Sequence, residues 1–264
     1  MSPFAPIDVL PLWALFIALV IANLLSGECG FRLGRLRSRQ THRESDGTVS
    51  AIVGSELGLL AFLLAFSFGI VASRFDLRRH VVLDEANAIG TTYLRSAMLP
   101  AAHGGPVRRL LREYVDVRIQ AAMGGSVDQA VRRSEQIHQQ LWTEAVAVAE
   151  LDRQSLPMGL FEQSLNEMID LHSRRVMLSL RNRMPLPVWL VLFAVGLMSF
   201  FTMGYQAGLA TASRSPASVV LVLTFVAVIW LVADLDRPGE GLFRVSQEPM
   251  TELRRMMAGS SLKE

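Results

Sequence analysis

Four stretches of the chain are apolar almost without interruption: Leu10 to Leu25, Ala51 to Ser73, Leu186 to Tyr205 and Ala217 to Ala233. A bilayer core of about 30 Å takes roughly 17–25 mostly apolar helical residues to cross, so each stretch predicts a membrane-spanning helix. The first is the shortest and contains Asn23, but it extends through Ser26 and Gly27 toward Phe31. No Lys or Arg precedes it, and in the run LSGEC Glu28 separates Gly27 from Cys29, a departure from a lipoprotein cleavage box. The expectation is a retained anchor.

Between the second and third runs, Arg74 to Pro185 holds fifteen Arg and thirteen Asp+Glu, too polar for lipid but regular in its apolar spacing. Val107, Leu110, Leu111, Tyr114 and Val117 recur at helical intervals, as do Ile137, Leu141, Ala145 and Val148, and again Phe161, Leu165, Met168 and His172. Strand-like alternation does not occur. Pro100 and the His103-Gly104-Gly105 run are expected to end the first polar helix, with Pro106 in the first turn of the second. Met123-Gly124-Gly125 should end that helix, Ser126 cap the third, and Ser155 with Pro157 restart the fourth. No breaker lies between Ala51 and Leu99, so the second span should continue into the first polar helix for roughly 70 Å. The predicted fold is all-α: four transmembrane helices with a long helical-bundle insert between spans two and three. The expected divisions are 1–73, 74–185, 186–233 and a tail at 234–264.

Composition narrows the chemistry. Half the residues are hydrophobic (51%) and only 19% are charged, against about 25% in an ordinary soluble domain. Twenty-six Lys+Arg against 24 Asp+Glu leave a net charge of +2, with no basic block dense enough to follow a phosphate backbone, so nucleic acid is not an expected partner. The single cysteine, Cys29, excludes an intramolecular disulfide and any multi-cysteine metal site, and no histidine stands beside it to make a nucleophile. There is no Gly-rich phosphate loop, Ser/His/Asp signature or paired-carboxylate motif, so neither an enzyme nor a cofactor is expected. With four spans, one side of the membrane presents ten arginines near membrane ends (Arg74, Arg78, Arg79, Arg174, Arg175, Arg181, Arg183, Arg237, Arg244, Arg254) and the other six (Arg32, Arg35, Arg37, Arg39, Arg43, Arg214). That excess favours a multi-pass protein with the helical insert and both termini in the cytoplasm.

The residues LGLLAFLLAFSFGIVASRFDLRRH, Leu57 to His80, resemble the second transmembrane helix of bacterial bestrophins and its cytoplasmic continuation, with Leu57, Gly58, Phe66, Arg74 and Arg79 in register. DEANAIGTTYLR (Asp84 to Arg95) and DLDRPGEG (Asp234 to Gly241) are similar to the bestrophin-like family of bacterial membrane proteins, a likeness that covers nearly the whole chain. The resemblance implies a homo-oligomer of five subunits with span two around an anion-conducting axis, and a hydrophobic neck at Gly58, Phe62 and Phe66. Positions i, i+4 and i+8 share one helix face. Such a ring could gate by dewetting, with positive ring edges toward anions. The chain departs from that pattern at Gly58, which supplies no side chain, at Ser67, which stands where bacterial bestrophins carry an Arg, and at Glu56, which adds a negative charge near the entrance.

Other positions have chemistry of their own. Glu56 lies about five residues inside the second span, where an ionisable group is a candidate functional site or a partner for an arginine of the preceding loop. Glu28, at the end of span one, is expected to be an interfacial carboxylate. Asp234, Asp236 and Glu240 follow span four where eukaryotic bestrophins carry a calcium clasp. Calcium wants six to eight oxygens, and the expectation is instead that Asp234 meets an arginine while Pro238 and Gly239 turn the tail. His80 and Asp84, with Glu85 nearby, have metal-compatible spacing but no evident third ligand, so a solvated face is expected. His103, His138 and His172 receive no role. The leading expectation is an anion channel; the alternative is a non-conducting scaffold or sensor whose helical insert binds a cytoplasmic partner.

Overall fold

The computed structural model describes residues 10–38, 46–152, 154–180, 182–210, 214–237 and 241–260. These residues form eight α-helices: α1 Leu12–Arg37, α2 Asp46–Arg95, α3 Ala101–Ala122, α4 Val127–Leu151, α5 Leu156–Leu180, α6 Leu186–Leu209, α7 Pro216–Asp236 and α8 Glu248–Ser260. No strand occurs among the described residues. Helices α1, α2, α6 and α7 are long and apolar enough to cross a membrane. The expected run of span two into the polar region is borne out, since α2 is unbroken for 50 residues, about 75 Å.

The chain divides into two compact units, residues 1–75 with 183–243 and residues 76–182 with 244–264. In the first, the interior holds Leu60, Leu64, Trp189, Leu192, Ile229 and Val232. Its exterior is equally apolar: Trp13, Ile21, Leu25, Leu190 and Val220 are all more than half exposed. That outer surface is stable in hydrocarbon and unstable in water.

Helix α1 packs chiefly on α6. The seam is made of glycine. A Cβ on Gly30 would stand 2.0 Å from the Phe201 carbonyl oxygen, on Gly204 2.0 Å from that of Gly27, and on Gly208 2.2 Å from that of Phe31. Removing side chains lets the two backbones touch, which in a membrane replaces the hydrophobic drive that lipid cannot supply. Ser26 adds a hydroxyl donated to the Leu197 carbonyl across the seam at 2.7 Å.

The second unit has an ordinary core. Val107, Leu111, Tyr114, Ile137, Leu141, Ala145, Val148, Phe161, Leu165 and Met168 are buried in one cluster, so the periodic positions read from the sequence are the packed ones. Full burial of one such side chain is worth about 1.5–3 kcal/mol. Ser126 caps α4 by accepting from the Gln129 N–H, as expected.

One boundary differs from expectation. His103, Gly104 and Gly105 do not form a turn but lie inside α3, which begins at Ala101 and carries Pro106 within it. The break falls earlier because Leu99 precedes a proline and is held extended, at φ −78° and ψ 155°. Gly104 is then needed for close approach, since a Cβ there would lie 2.9 Å from the Ser96 carbonyl oxygen.

Candidate pore-lining face and charged sites

At 100° per residue, Gly58, Phe62 and Phe66 fall within an arc of about 80° on α2. Phe62 is 67% exposed and Phe66 61%, and a side chain at Gly58 would meet nothing. Val53, Leu60, Leu64, Ser67 and Val71 are buried on the other side of the helix. The helix therefore has one packed face and one free face, and the three residues lie on the free one.

Glu56 does not share that arc: it sits about 120° from its middle. Its carboxylate accepts a hydrogen bond from the Thr202 hydroxyl of α6. Glu28, near the end of α1, accepts from Arg32 Nε at 2.8 Å and from Arg214 at 2.9 and 3.2 Å. Two arginines thus converge on one carboxylate where the apolar run ends.

The acidic residues in the last turn of α7 work differently from the expectation. Asp234, fully buried, accepts the backbone N–H groups of Leu242 and Phe243 at 3.1 and 3.3 Å. Gly241 makes this possible, because its φ is +95° and a Cβ would lie 1.4 Å from Asp234 Oδ1. It is Asp236 that meets arginines, with Arg183 Nε at 3.5 Å and Arg74 at 4.0 Å, while also accepting the Met184 N–H at 3.0 Å. The lone pairs a calcium ion would use are directed at these donors, and no grouping of potential metal ligands exists among the described residues. Glu240, with Pro238 and Gly239, lies outside the described residues.

His80 and Asp84 are exposed, but Glu85 is not: it is fully buried at the centre of the second unit. Tyr114 donates its hydroxyl to Glu85 at 2.6 Å, Arg175 donates to the other carboxylate oxygen, and Arg118 Nε lies 3.4 Å away. Arg175 also donates to Gln247 at 2.9 Å. The single Tyr114 proton goes to Glu85, so the tyrosine oxygen, 3.0 Å from His172 Nδ1, accepts from that nitrogen. The His138 and His172 rings lie 4.8 Å apart, edge to face. Burial opposes ionisation of Glu85, which lies past the apolar run of α2, but Arg118, Arg175 and the tyrosine outweigh it and hold the carboxyl below its usual range. Burial above all pushes the Tyr114 hydroxyl well up, with the Glu85 charge adding to it. Burial also pushes His138 down to about 4 and His172 down to about 3, so both rings are neutral.

Sequence reasoning missed this network, because a carboxylate beside two solvated residues reads as solvated. The available signal was Glu85 at three and four residues from Val82, Val81, Ala88 and Ile89, which are all buried. The glycine seam was also legible as Gly30-x-x-x-Gly34 and Gly204-x-x-x-Gly208.

A polytopic helical membrane protein, with four apolar helices and a helical bundle inserted between the second and third, is the class these features define. The chain belongs to the bestrophin-like family, whose domain model matches residues 26–250. Solved structures with the same fold include three point variants of a bacterial bestrophin homolog from Klebsiella pneumoniae. Each is 15% identical over 94% of this chain, with TM-scores of 0.67, 0.65 and 0.63 and 96%, 97% and 99% of the other chain covered. Comparison with curated proteins finds no match.

Proposed function

We propose that the protein is a homo-oligomeric anion channel, a pentamer in which α2 lines the pore and Gly58, Phe62 and Phe66 face the axis as its neck. The observation that carries this reading is the free face of α2, where two phenylalanines are about two-thirds exposed while the opposite face is packed. Rings of such side chains make a constriction that water leaves readily, and their edges carry partial positive charge. Glu56, bonded to Thr202 off that arc, does not put a ring of carboxylates in the anion path. Particle images with five subunits and α2 at the axis, together with chloride flux into liposomes containing the purified protein, are the expected results. A monomer or dimer with α2 facing lipid, or no flux, would leave the non-conducting scaffold.

The arginine distribution supports an inner-membrane protein with the helical insert and both termini in the cytoplasm. A cysteine placed at Met123, which is 82% exposed, in a Cys29→Ser background should react with an impermeant reagent only after lysis. Labelling of intact cells would reverse this topology.

A further inference from the structure

The last turns of α1 carry an exposed basic patch that the channel reading does not use. Arg32, Arg35 and Arg37 are exposed there, and Arg214 joins them from the segment before α7. Glu28 pairs with Arg32 and Arg214, so the cluster of four arginines and one carboxylate has a surplus of three positive charges. Three of the guanidiniums, those of Arg32, Arg35 and Arg214, are held in place. Arg214 grips Glu28 through two nitrogens, at 2.9 and 3.2 Å, and lies 5.1 Å from the centre of the Phe31 ring. Arg35 lies 5.6 Å from the same ring, which is itself buried, and Arg32 reaches Glu28 from one turn along. Arg32 and Arg214 nevertheless keep about seven-tenths of their side-chain surface open, at 73% and 66%.

An apolar track leads into this patch. Ile17, Ile21 and Leu25 are each about half exposed, and on the helix they fall on the same face as Arg32 and Leu36. Leu36 is 63% exposed one turn beyond Arg32, so a guanidinium is flanked along the helix by hydrocarbon. A small free anion has no use for such a track. A lipid does: its phosphate meets the arginines while its chain lies along the isoleucines.

We propose that this end of α1, with Arg214, is a headgroup site for an anionic phospholipid whose acyl chain runs along Ile17, Ile21 and Leu25. A zwitterionic lipid brings its own cation toward the arginines and is the poorer ligand. The site belongs to one subunit and does not depend on conduction.

Native mass spectrometry of the full chain in detergent, titrated with dioleoylphosphatidylglycerol or dioleoylphosphatidylcholine, tests this. Phosphatidylglycerol should be retained about fivefold or more over phosphatidylcholine, since each arginine contributes about a factor of five. Arg32→Gln/Arg35→Gln/Arg37→Gln, which leaves only the Arg214–Glu28 pair, should abolish the preference, and Arg132→Gln, exposed on α4, should keep it. With the wild-type protein, which needs no variant to fold, raising salt about tenfold should reduce the preference because the patch is exposed. Equal retention of the two lipids, a preference that survives the triple substitution, or displacement of phosphatidylglycerol by millimolar inorganic phosphate would overturn the proposal.

Discussion

Phe66 and Phe68 are two residues apart in one apolar helix, yet they face directions about 200° apart. If Phe66 stands in the neck of a channel, Phe66→Ala removes a bulky ring from every subunit at the constriction, admits water and lowers the barrier to ion entry. Single-channel conductance in planar bilayers should rise for Phe66→Ala and stay within about twofold of wild type for Phe68→Ala, whose side chain is only 39% exposed. Equal small effects of the two substitutions would count against the neck. The candidates Gly58, Phe62 and Phe66 were readable as one face because spacing alone sets helix geometry. The partners of Asp234 and Asp236 were not, since which carboxylate meets an arginine and which a backbone N–H depends on where Met184, Arg183 and Leu242 come to lie.

At the scale of elements, the contact between α1 and α6 rests on the absence of side chains. Gly204→Ala would place a Cβ 2.0 Å from the Gly27 carbonyl oxygen, so the two helices must separate. Overpacking of this kind costs about 1–3 kcal/mol, and thermal unfolding in detergent should show a clear fall in midpoint. Gly159→Ala is the contrast: nothing lies within 4 Å of the added methyl, and alanine is the better helix former by about 0.8–1 kcal/mol. That variant should be as stable as wild type or more so. A similar midpoint for Gly204→Ala would mean that the helices are not in backbone contact. The helices themselves were legible from hydropathy and capping residues, as at Ser126 and α4. The start of α3 was not, because Gly104 and Gly105 read as a turn until the close approach of Gly104 to the Ser96 carbonyl, just beyond α2, is known.

For the whole molecule, the second unit is organised around one carboxylate. Glu85 on α2 gathers Tyr114 and Arg118 from α3 and Arg175 from α5, with His172 bonded to the tyrosine and His138 of α4 against it. Both histidines titrate in the fold well below the ordinary value of about 6.5, at about 4 and about 3. Their contribution to stability is therefore complete above about pH 6.5 and is lost as the pH falls toward those values, because the unfolded chain takes up protons that the folded chain refuses. The loss approaches about 1.4 kcal/mol per pH unit for each histidine. Glu85, whose pKa is lowered from 4.5, begins to contribute a loss only below that value, so the window from about 6.5 down to 4.5 belongs to the histidines. Melting points of the full chain between pH 7.5 and 5 should fall steeply for wild type and less for His138→Asn/His172→Asn. Parallel slopes would mean that the rings take up protons in the folded state.

Periodicity and length alone determined the helices, the four apolar spans and the polar insert, because a helix in lipid must satisfy its backbone within itself and a bundle helix must repeat its apolar residues every three to four positions. Those requirements are local, so they are written along the chain. What only the tertiary structure decided is where charge is kept: Glu85 in a core, Glu56 on Thr202, Glu28 between two arginines, and Asp236 between Arg74 in the middle of α2 and Arg183 just before α6. A carboxylate is tolerated away from water only where its partners converge in space, and no spacing rule encodes partners that lie 90 or 186 residues away.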